Sequence, residues 1–248
     1  MVNIVKEVFQ QVDYPGSNCC IRYLREEHNF KLRIKKLKRA RRITLRVCQI
    51  DRELKVTTPL NLGTVSVERF IEQHLKWIKT QILNCPPQVL ISDGVELPLF
   101  GKKITVQRAS ECKTKYCLSD KRLTVPKTSS DFKNQIKMVL INLAKEFFSE
   151  QCYKYSKELG VTFSKISMRD PKSRWGSCSS EKKLMFSWRL IMAPKEVSCY
   201  VAAHEVAHLV HMNHSKNFWE VVSSIYPDQK SQRNWLRQNG KKLHKFIF

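Results

Sequence analysis

The pattern of apolar and polar positions predicts two parts with different secondary structure. From 30 to 60, apolar residues alternate with polar ones as in short strands, and helical spacing of apolar residues follows over 66–82. The Pro86-Pro87 pair is expected to end that helix, and further short strands follow it. The first part, 1–128, is therefore predicted to be an α+β module rich in antiparallel strands.

The second part, 129–248, is predicted to combine helices with a few strands. A helical stripe begins after Asp131 and is expected to stop at Gly160, because glycine readily takes the left-handed conformation that ends helices. Strict alternation over 183–190 predicts a strand. Pro194 then marks the start of another helix, since proline is favoured in the first helical turn.

The helix expected after Pro194 carries His204-Glu205-Val206-Ala207-His208. Residues four apart lie on one face of a helix, so both imidazoles can reach one ion about 2 Å away. Glu205 lies beside the first ligand, where it can accept a proton from a metal-bound water. His214, beyond the expected helix end, is predicted to return as the third ligand. Three protein ligands leave a position open for water, as in catalytic zinc sites.

The third ligand has competitors in the sequence. His211 follows His208 by three residues, but His204, His208 and His211 climb along a helix axis by about 10 Å and cannot easily face one ion. Glu220 and Asp228 are alternatives of the carboxylate kind. Three imidazoles would hold one Zn²⁺ ion, and they would also hold manganese, iron, cobalt or nickel.

The composition adds one strong feature, the net charge. The chain of 248 residues carries +23 at pH 7, and 42% of its residues are hydrophobic, which is enough for a core. This charge favours polyanions, so nucleic acid and nucleotides are candidate partners beside a peptide or protein substrate. The densest basic run, 31–46, contains no acidic residue and no aromatic residue that could stack on bases.

Apolar runs and cysteines bear on the compartment. No apolar run reaches the roughly 18 residues needed to cross a bilayer, and residues 1–13 lack the apolar segment of a signal peptide. The nine cysteines form no CxxC pair, which is typical of reduced thiols rather than of metal sites. The sequence therefore predicts a cytoplasmic protein with no membrane partner.

Motifs across the chain resemble those of the YgjP-like metal-dependent hydrolases, a branch of zincin-type metallopeptidases related to the SprT and WLM groups. The matching segments of the second part are Arg174-Trp175-Gly176-Ser177-Cys178-Ser179, Phe186-Ser187-Trp188-Arg189-Leu190, Ala193-Pro194, His204-Glu205-Val206-Ala207-His208-Leu209 and His214-Ser215-Lys216-Asn217-Phe218-Trp219. The first part is similar to the family in Arg41-Arg42-Ile43-Thr44-Leu45 and in Gly94 to Gly101. One departure is Ser187, where the family usually has asparagine.

This resemblance implies a zincin-like domain of the minigluzincin type, with the HExxH helix and an edge strand lining the cleft. Residues 183–190 fit that strand, to whose free edge an extended peptide could add. The resemblance also implies a zinc-dependent metallopeptidase in which His204, His208 and His214 bind the metal and Glu205 is the catalytic base.

Two more residues are candidates for contacting the substrate. Arg174 would either stabilise developing oxyanion charge or pair with an acid, and Tyr226 would assist at the oxyanion.

Two alternative functions stay open. Members of the family are also described as nucleotide pyrophosphatases acting on UTP-like substrates, and such chemistry needs a metal and basic phosphate contacts. The chain contains no Gly-rich phosphate loop, which argues against this alternative. By analogy with the SprT relatives, the other alternative is a nucleic-acid-associated protease or binding module, whose nucleic-acid binding would be sensitive to salt.

Overall fold

The chain folds as two compact units, Met1–Pro87 and Gln88–Phe248. The computed structural model describes residues 9–12, 19–24, 31–110, 117–127 and 131–248. These residues form six α-helices and several small sheets, so the fold class is α+β. In this described part of the chain, no helix combines the length and the apolar composition that a membrane span requires.

The first unit is a five-stranded sheet with two helices against one face. Its elements are β1 (Phe9–Val12), β2 (Cys19–Leu24), β3 (Lys31–Leu37), β4 (Thr44–Cys48), β5 (Glu53–Pro59), α1 (Thr64–Gln73) and α2 (Leu75–Leu83). The strand order is β1-β2-β3-β5-β4, with β3 and β5 parallel and the other pairs antiparallel. The predicted helix over 66–82 is therefore present as two helices, separated at His74.

The core of the first unit follows from the alternation in β3 and β5. Leu32, Leu54 and Val56 point to one face of the sheet, where they pack with Ile71 and Ile78 of the two helices. The polar positions between them point to the opposite face, because successive side chains of a strand alternate between the two faces. This sheet therefore has one buried and one open face.

The second unit is organised around a long helix, α3 (Phe132–Leu159). Asp131 caps its start by accepting a hydrogen bond from the backbone N–H of Asn134 at 3.1 Å. Gly160 ends it in the left-handed conformation, with φ of 65°. The predicted stop at Gly160 is thus confirmed.

Three small sheets and three more helices complete the second unit. The sheets are β6 (Val89–Leu90) with β14 (Phe246–Ile247); β7 (Glu96–Leu99), β8 (Lys102–Ala109), β9 (Cys117–Ser119) and β10 (Arg122–Pro126); and β11 (Lys165–Arg169), β12 (Gly176–Cys178) and β13 (Lys183–Ser187). The helices are α4 (Lys195–Ala207), α5 (Lys216–Ile225) and α6 (Gln229–Asn239). Helix α4 packs against α3, α5, α6 and β12.

The core of the second unit crosses the domain boundary that the sequence predicts at 128/129. Leu97, Val106 and Leu123 of the β7–β10 sheet belong to the same buried cluster as Ile136 and Leu140 of α3. The strands before 128 therefore need α3 to cover their apolar face. The compact units divide instead after the Pro86-Pro87 pair.

The strand predicted over 183–190 differs from the observed one in two ways. It ends at Ser187, and Trp188–Met192 form a buried 3₁₀ helix. In the sheet order β11-β13-β12, β13 is the central strand, so the prediction that it has a free edge is wrong. The edge strand that packs against α4 is β12, which comes from the loop of the Arg174–Ser179 motif.

Candidate metal centre

The structure brings the three predicted ligands together at the C-terminal end of α4. The Nε2 atoms of His204 and His214 are 3.2 Å apart, and ligand atoms of His204, His208 and His214 all lie within 4.8 Å of one another. Two nitrogens bound to one zinc at about 2.0–2.1 Å with tetrahedral geometry stand about 3.3 Å apart. The spacing therefore fits one shared ion. Within the described part of the chain, no other group of His, Cys, Asp and Glu side chains has it.

His214 reaches the end of α4 because the chain turns sharply before α5. The side chain of Asn213 accepts a hydrogen bond from the backbone N–H of Ser215 at 3.2 Å. The hydroxyl of Ser215 in turn accepts one from the backbone N–H of Phe218 at 3.5 Å and caps α5. The two side chains together fix the turn that carries His214.

A backbone carbonyl orients His208. Its Nδ1 lies 3.0 Å from the carbonyl oxygen of His211. A carbonyl oxygen only accepts hydrogen bonds, so Nδ1 carries the proton and Nε2 keeps its lone pair for a metal. His211 contributes its main chain here, and its ring is not part of the group of three histidines. Neither Glu220 nor Asp228 belongs to that group.

Two aromatic residues surround the histidines. The hydroxyl of Tyr200 lies 3.4 Å from Nδ1 of His204, and it can orient that ring as the His211 carbonyl orients His208. The buried ring of Phe218 stacks on His208, with 4.4 Å between ring centroids. Sequence analysis missed Tyr200, although its position one helical turn before His204 was an available signal.

Glu205 lies against the backbone of the edge strand β12. Its side chain is buried, and a Cβ added to Gly176 would lie only 2.5 Å from its Oε1. Atoms do not approach that closely without displacement, so a residue with a side chain at this position would push the carboxyl away. Gly176, part of the Arg174–Ser179 motif, therefore leaves the space that Glu205 occupies.

Burial also sets the protonation of the site. It raises the pKa of Glu205 to about 8, against the opposing effect of the positive charge of Arg174. Burial lowers the pKa of His204 to about 3, helped by the neighbouring His208 and His214, and it lowers the pKa of His208 as well. His204 and His208 are therefore neutral at pH 7, which is the form that binds metal.

The sequence of the chain matches one family model over most of its length. The family model of the YgjP-like metallopeptidase domain matches residues 41–239, most of the chain. The chain belongs to the YgjP-like metallopeptidase family. The resemblance found in the sequence is thus confirmed.

The chain of this YgjP-like protein matches no curated protein. Among solved structures it is similar to the metallopeptidase zymogen of Pyrococcus abyssi abylysin, with 19% identity and a TM-score of 0.34. That similarity covers 40% of this chain and 99% of the abylysin chain.

The two predicted substrate-contacting residues of this YgjP-like protein lie in different places. Arg174 is exposed, and its charge acts on the carboxyl of Glu205, so it lies near the candidate base. Tyr226 donates its hydroxyl to the main-chain carbonyl of Glu196 at 2.8 Å. Glu196 is in the first turn of α4, whereas His204 is in the last. The Tyr226 hydroxyl is therefore bound at the other end of the helix.

The structure also shows a cation that sequence analysis missed. The guanidinium of Arg233 lies over the ring of Trp219, 4.2 Å from its centroid. The Trp219 ring is 5.7 Å from that of His204 and 5.9 Å from that of His214, and the charge of Arg233 contributes to the lowered pKa of His204. Positive charge is thus present near the candidate base, from Arg174, and near the candidate ligands, from Arg233.

Proposed function

We propose that this chain is a zinc-dependent peptidase that holds one ion on His204, His208 and His214 and uses Glu205 as its general base. The observation that carries this proposal is the group of three imidazoles within 4.8 Å, with a buried carboxyl adjacent in sequence to one of them. Membership in a metallopeptidase family supports a peptide or protein substrate. Zinc is the metal that we favour, because three histidines with one open position are typical of catalytic zinc sites.

Each residue of the site has a distinct task in this proposal. Glu205 takes a proton from the attacking water and delivers it to the leaving amine. When bound, the ion polarises the scissile carbonyl and makes water more acidic. Tyr200 and the carbonyl of His211 keep the imidazoles oriented. Arg174, whose charge acts on the carboxyl of Glu205, stabilises the negative charge that develops on the substrate oxygen.

The base assignment is tested by Glu205→Gln, which keeps the shape of the side chain and removes its basicity. We expect zinc content to stay at one ion per chain and kcat/KM for a fluorogenic peptide to fall by about 10²–10⁴-fold. The matched control is Glu220→Gln, an exposed acid of α5 outside the group of three histidines, which should leave both quantities unchanged. Unchanged hydrolysis by Glu205→Gln would remove the base assignment.

The ligand assignment is tested by comparing His214→Ala with His211→Ala. Elemental analysis should show that His214→Ala loses most of its zinc. His211→Ala should keep one ion per chain, because only its main-chain carbonyl contacts His208. The reverse result would make His211 the third ligand in solution.

The alternative activities and the cytoplasmic location stay predictions. Phosphate release from nucleoside triphosphates, measured beside casein cleavage, separates a pyrophosphatase from a peptidase. A zinc-loaded chain that releases phosphate and leaves casein intact would contradict the proposal.

Free thiols are consistent with the predicted location, because a reducing compartment keeps cysteines unpaired. The free cysteines among the described residues are Cys48, Cys85, Cys117, Cys152, Cys178 and Cys199.

A further inference from the structure

The open face of the sheet in the first unit, the face away from α1 and α2, carries a regular array of cations. On β3, Lys31, Arg33 and Lys35 are exposed and alternate with Leu32 and Ile34, which lie in or against the core. Residues two apart on a strand are about 6.6 Å from each other. One strand therefore presents three cations in a line along the same face.

A row of cations also runs across the strands. In the sheet register, Arg33 of β3 lies opposite Lys55 of β5, and Lys55 lies opposite Arg46 of β4. Neighbouring strands are about 4.8 Å apart, so this row covers about 10 Å. Glu53 contacts Arg33 at 2.6 Å and Lys55 at 3.1 Å. Even so, 49% of the Arg33 side chain and 41% of the Lys55 side chain remain exposed, so both can also contact a ligand.

The loop between β3 and β4 adds further exposed cations at the end of the sheet where β3 stops and β4 begins. We call the resulting surface the basic face; it consists of Lys31, Arg33, Lys35, Lys38, Arg39, Arg41, Arg42, Arg46 and Lys55. All of these cations except Lys55 come from residues 31–46, which contain no acidic residue, and the acids Asp51 (3.7 Å from Lys55) and Glu53 contact the basic face. The basic face therefore keeps a large excess of positive charge.

We propose that the basic face binds the phosphate backbone of nucleic acid without reading the bases. A dense array of lysine and arginine gains free energy on a polyanion by releasing its condensed counterions. No residue from 31 to 59 is aromatic, so β3, β4, β5 and the loops between them offer no ring on which an unpaired base could stack. Among the described residues, no exposed large apolar side chain lies between 31 and 59 to insert into a lipid surface, which favours nucleic acid over an anionic membrane.

The proposal is tested with the full-length chain and a labelled duplex of about 20 base pairs, by fluorescence anisotropy at several NaCl concentrations. The test variant combines Lys35→Gln, Arg42→Gln and Arg46→Gln, three exposed positions of the basic face. If each of the three side chains contacts one phosphate, the slope of log K against log [NaCl] should become shallower by about 2.7, which is about 0.9 for each lost contact. The affinity should fall similarly for duplexes of different sequence.

The control variant removes equal charge from the second unit, through Lys145→Gln, Lys157→Gln and Lys241→Gln, which are also exposed. This control variant should change the slope by less than about 0.9, the value that corresponds to one phosphate contact. Equal losses in both variants, with both shown to be folded by their thermal melts, would overturn the proposal. So would a wild-type chain that does not bind either duplex DNA or duplex RNA at about 0.1 M salt, or one that binds only anionic lipid vesicles.

This inference does not rest on the proposed peptidase activity. Removal of zinc with a chelator and the Glu205→Gln variant should both leave the affinity for the duplex unchanged. A chain that binds the duplex but hydrolyses no peptide would therefore contradict the proposed function alone.

Discussion

The contact between Gly176 and Glu205 allows one substitution to move the candidate base without touching a ligand. In Gly176→Ala the new Cβ would lie 2.5 Å from Oε1, 2.6 Å from Cγ and 2.7 Å from Cδ of Glu205, whereas ordinary contacts begin near 3.4 Å. The carboxyl must therefore move by about 1 Å. Strand β12 cannot move easily in its place, because it pairs with the central strand β13.

A displacement of this size has a large catalytic effect. Misplacing a catalytic group by about 1 Å can cost about 10²-fold in rate, so we expect kcat/KM of Gly176→Ala to fall by that factor. Zinc content should stay at one ion per chain, because His204, His208 and His214 keep their positions. Steady-state hydrolysis of a fluorogenic peptide and elemental analysis of the same preparation measure the two quantities.

The matched control is Gly63→Ala, the same substitution in an open position. An added Cβ at Gly63 has no atom within 4 Å, and the residue has an ordinary φ of −68°. This variant should keep full activity. Full activity of Gly176→Ala would refute the reasoning, because the position of the carboxyl would then not matter, and loss of zinc would show that the substitution acts through the ligands instead.

Two other predictions concern the surroundings of the metal. Tyr200→Phe should weaken zinc binding about 10–100-fold in a chelator competition, because it removes the hydroxyl 3.4 Å from Nδ1 of His204. Tyr226→Phe, whose hydroxyl bonds the main chain of Glu196, is the control, and equal effects would contradict the assignment. Zinc binding at pH 7 should release more protons from the wild type than from Glu205→Gln, because the metal-free carboxyl, with a pKa of about 8, is mostly protonated there. The difference in proton release should shrink above pH 8, where that carboxyl is already ionised. Calorimetry in buffers of different ionisation enthalpy measures the number of protons released. A difference that grows with pH would contradict the raised pKa of Glu205.

The central part of the candidate site could be predicted because its geometry is local. A helix brings residues four apart onto one face, so the spacing of His204 and His208 already predicted that both bind one metal ion. His214 lies beyond the helix, and its return to the other two histidines depends on the turn made by Asn213 and Ser215. Local spacing and capping preferences were sufficient for these residues.

The parts that could not be predicted depend on pairing between distant segments. The alternation of Leu184 and Phe186 is the same in a central and in an edge strand, and only the pairing of β13 with both β11 and β12 makes it central. The role of Gly176 depends on which helix packs against β12. The Pro86-Pro87 pair indicated a helix end, but only the shared core of α3 with the β7–β10 sheet shows that the units divide there.

Zinc K-edge X-ray absorption on the chain loaded with one equivalent of zinc tests the central claim most directly. The account predicts three imidazole nitrogens at about 2.0–2.1 Å, one further light atom, and no sulfur. A sulfur ligand at about 2.3 Å, or fewer than three imidazoles, would contradict it.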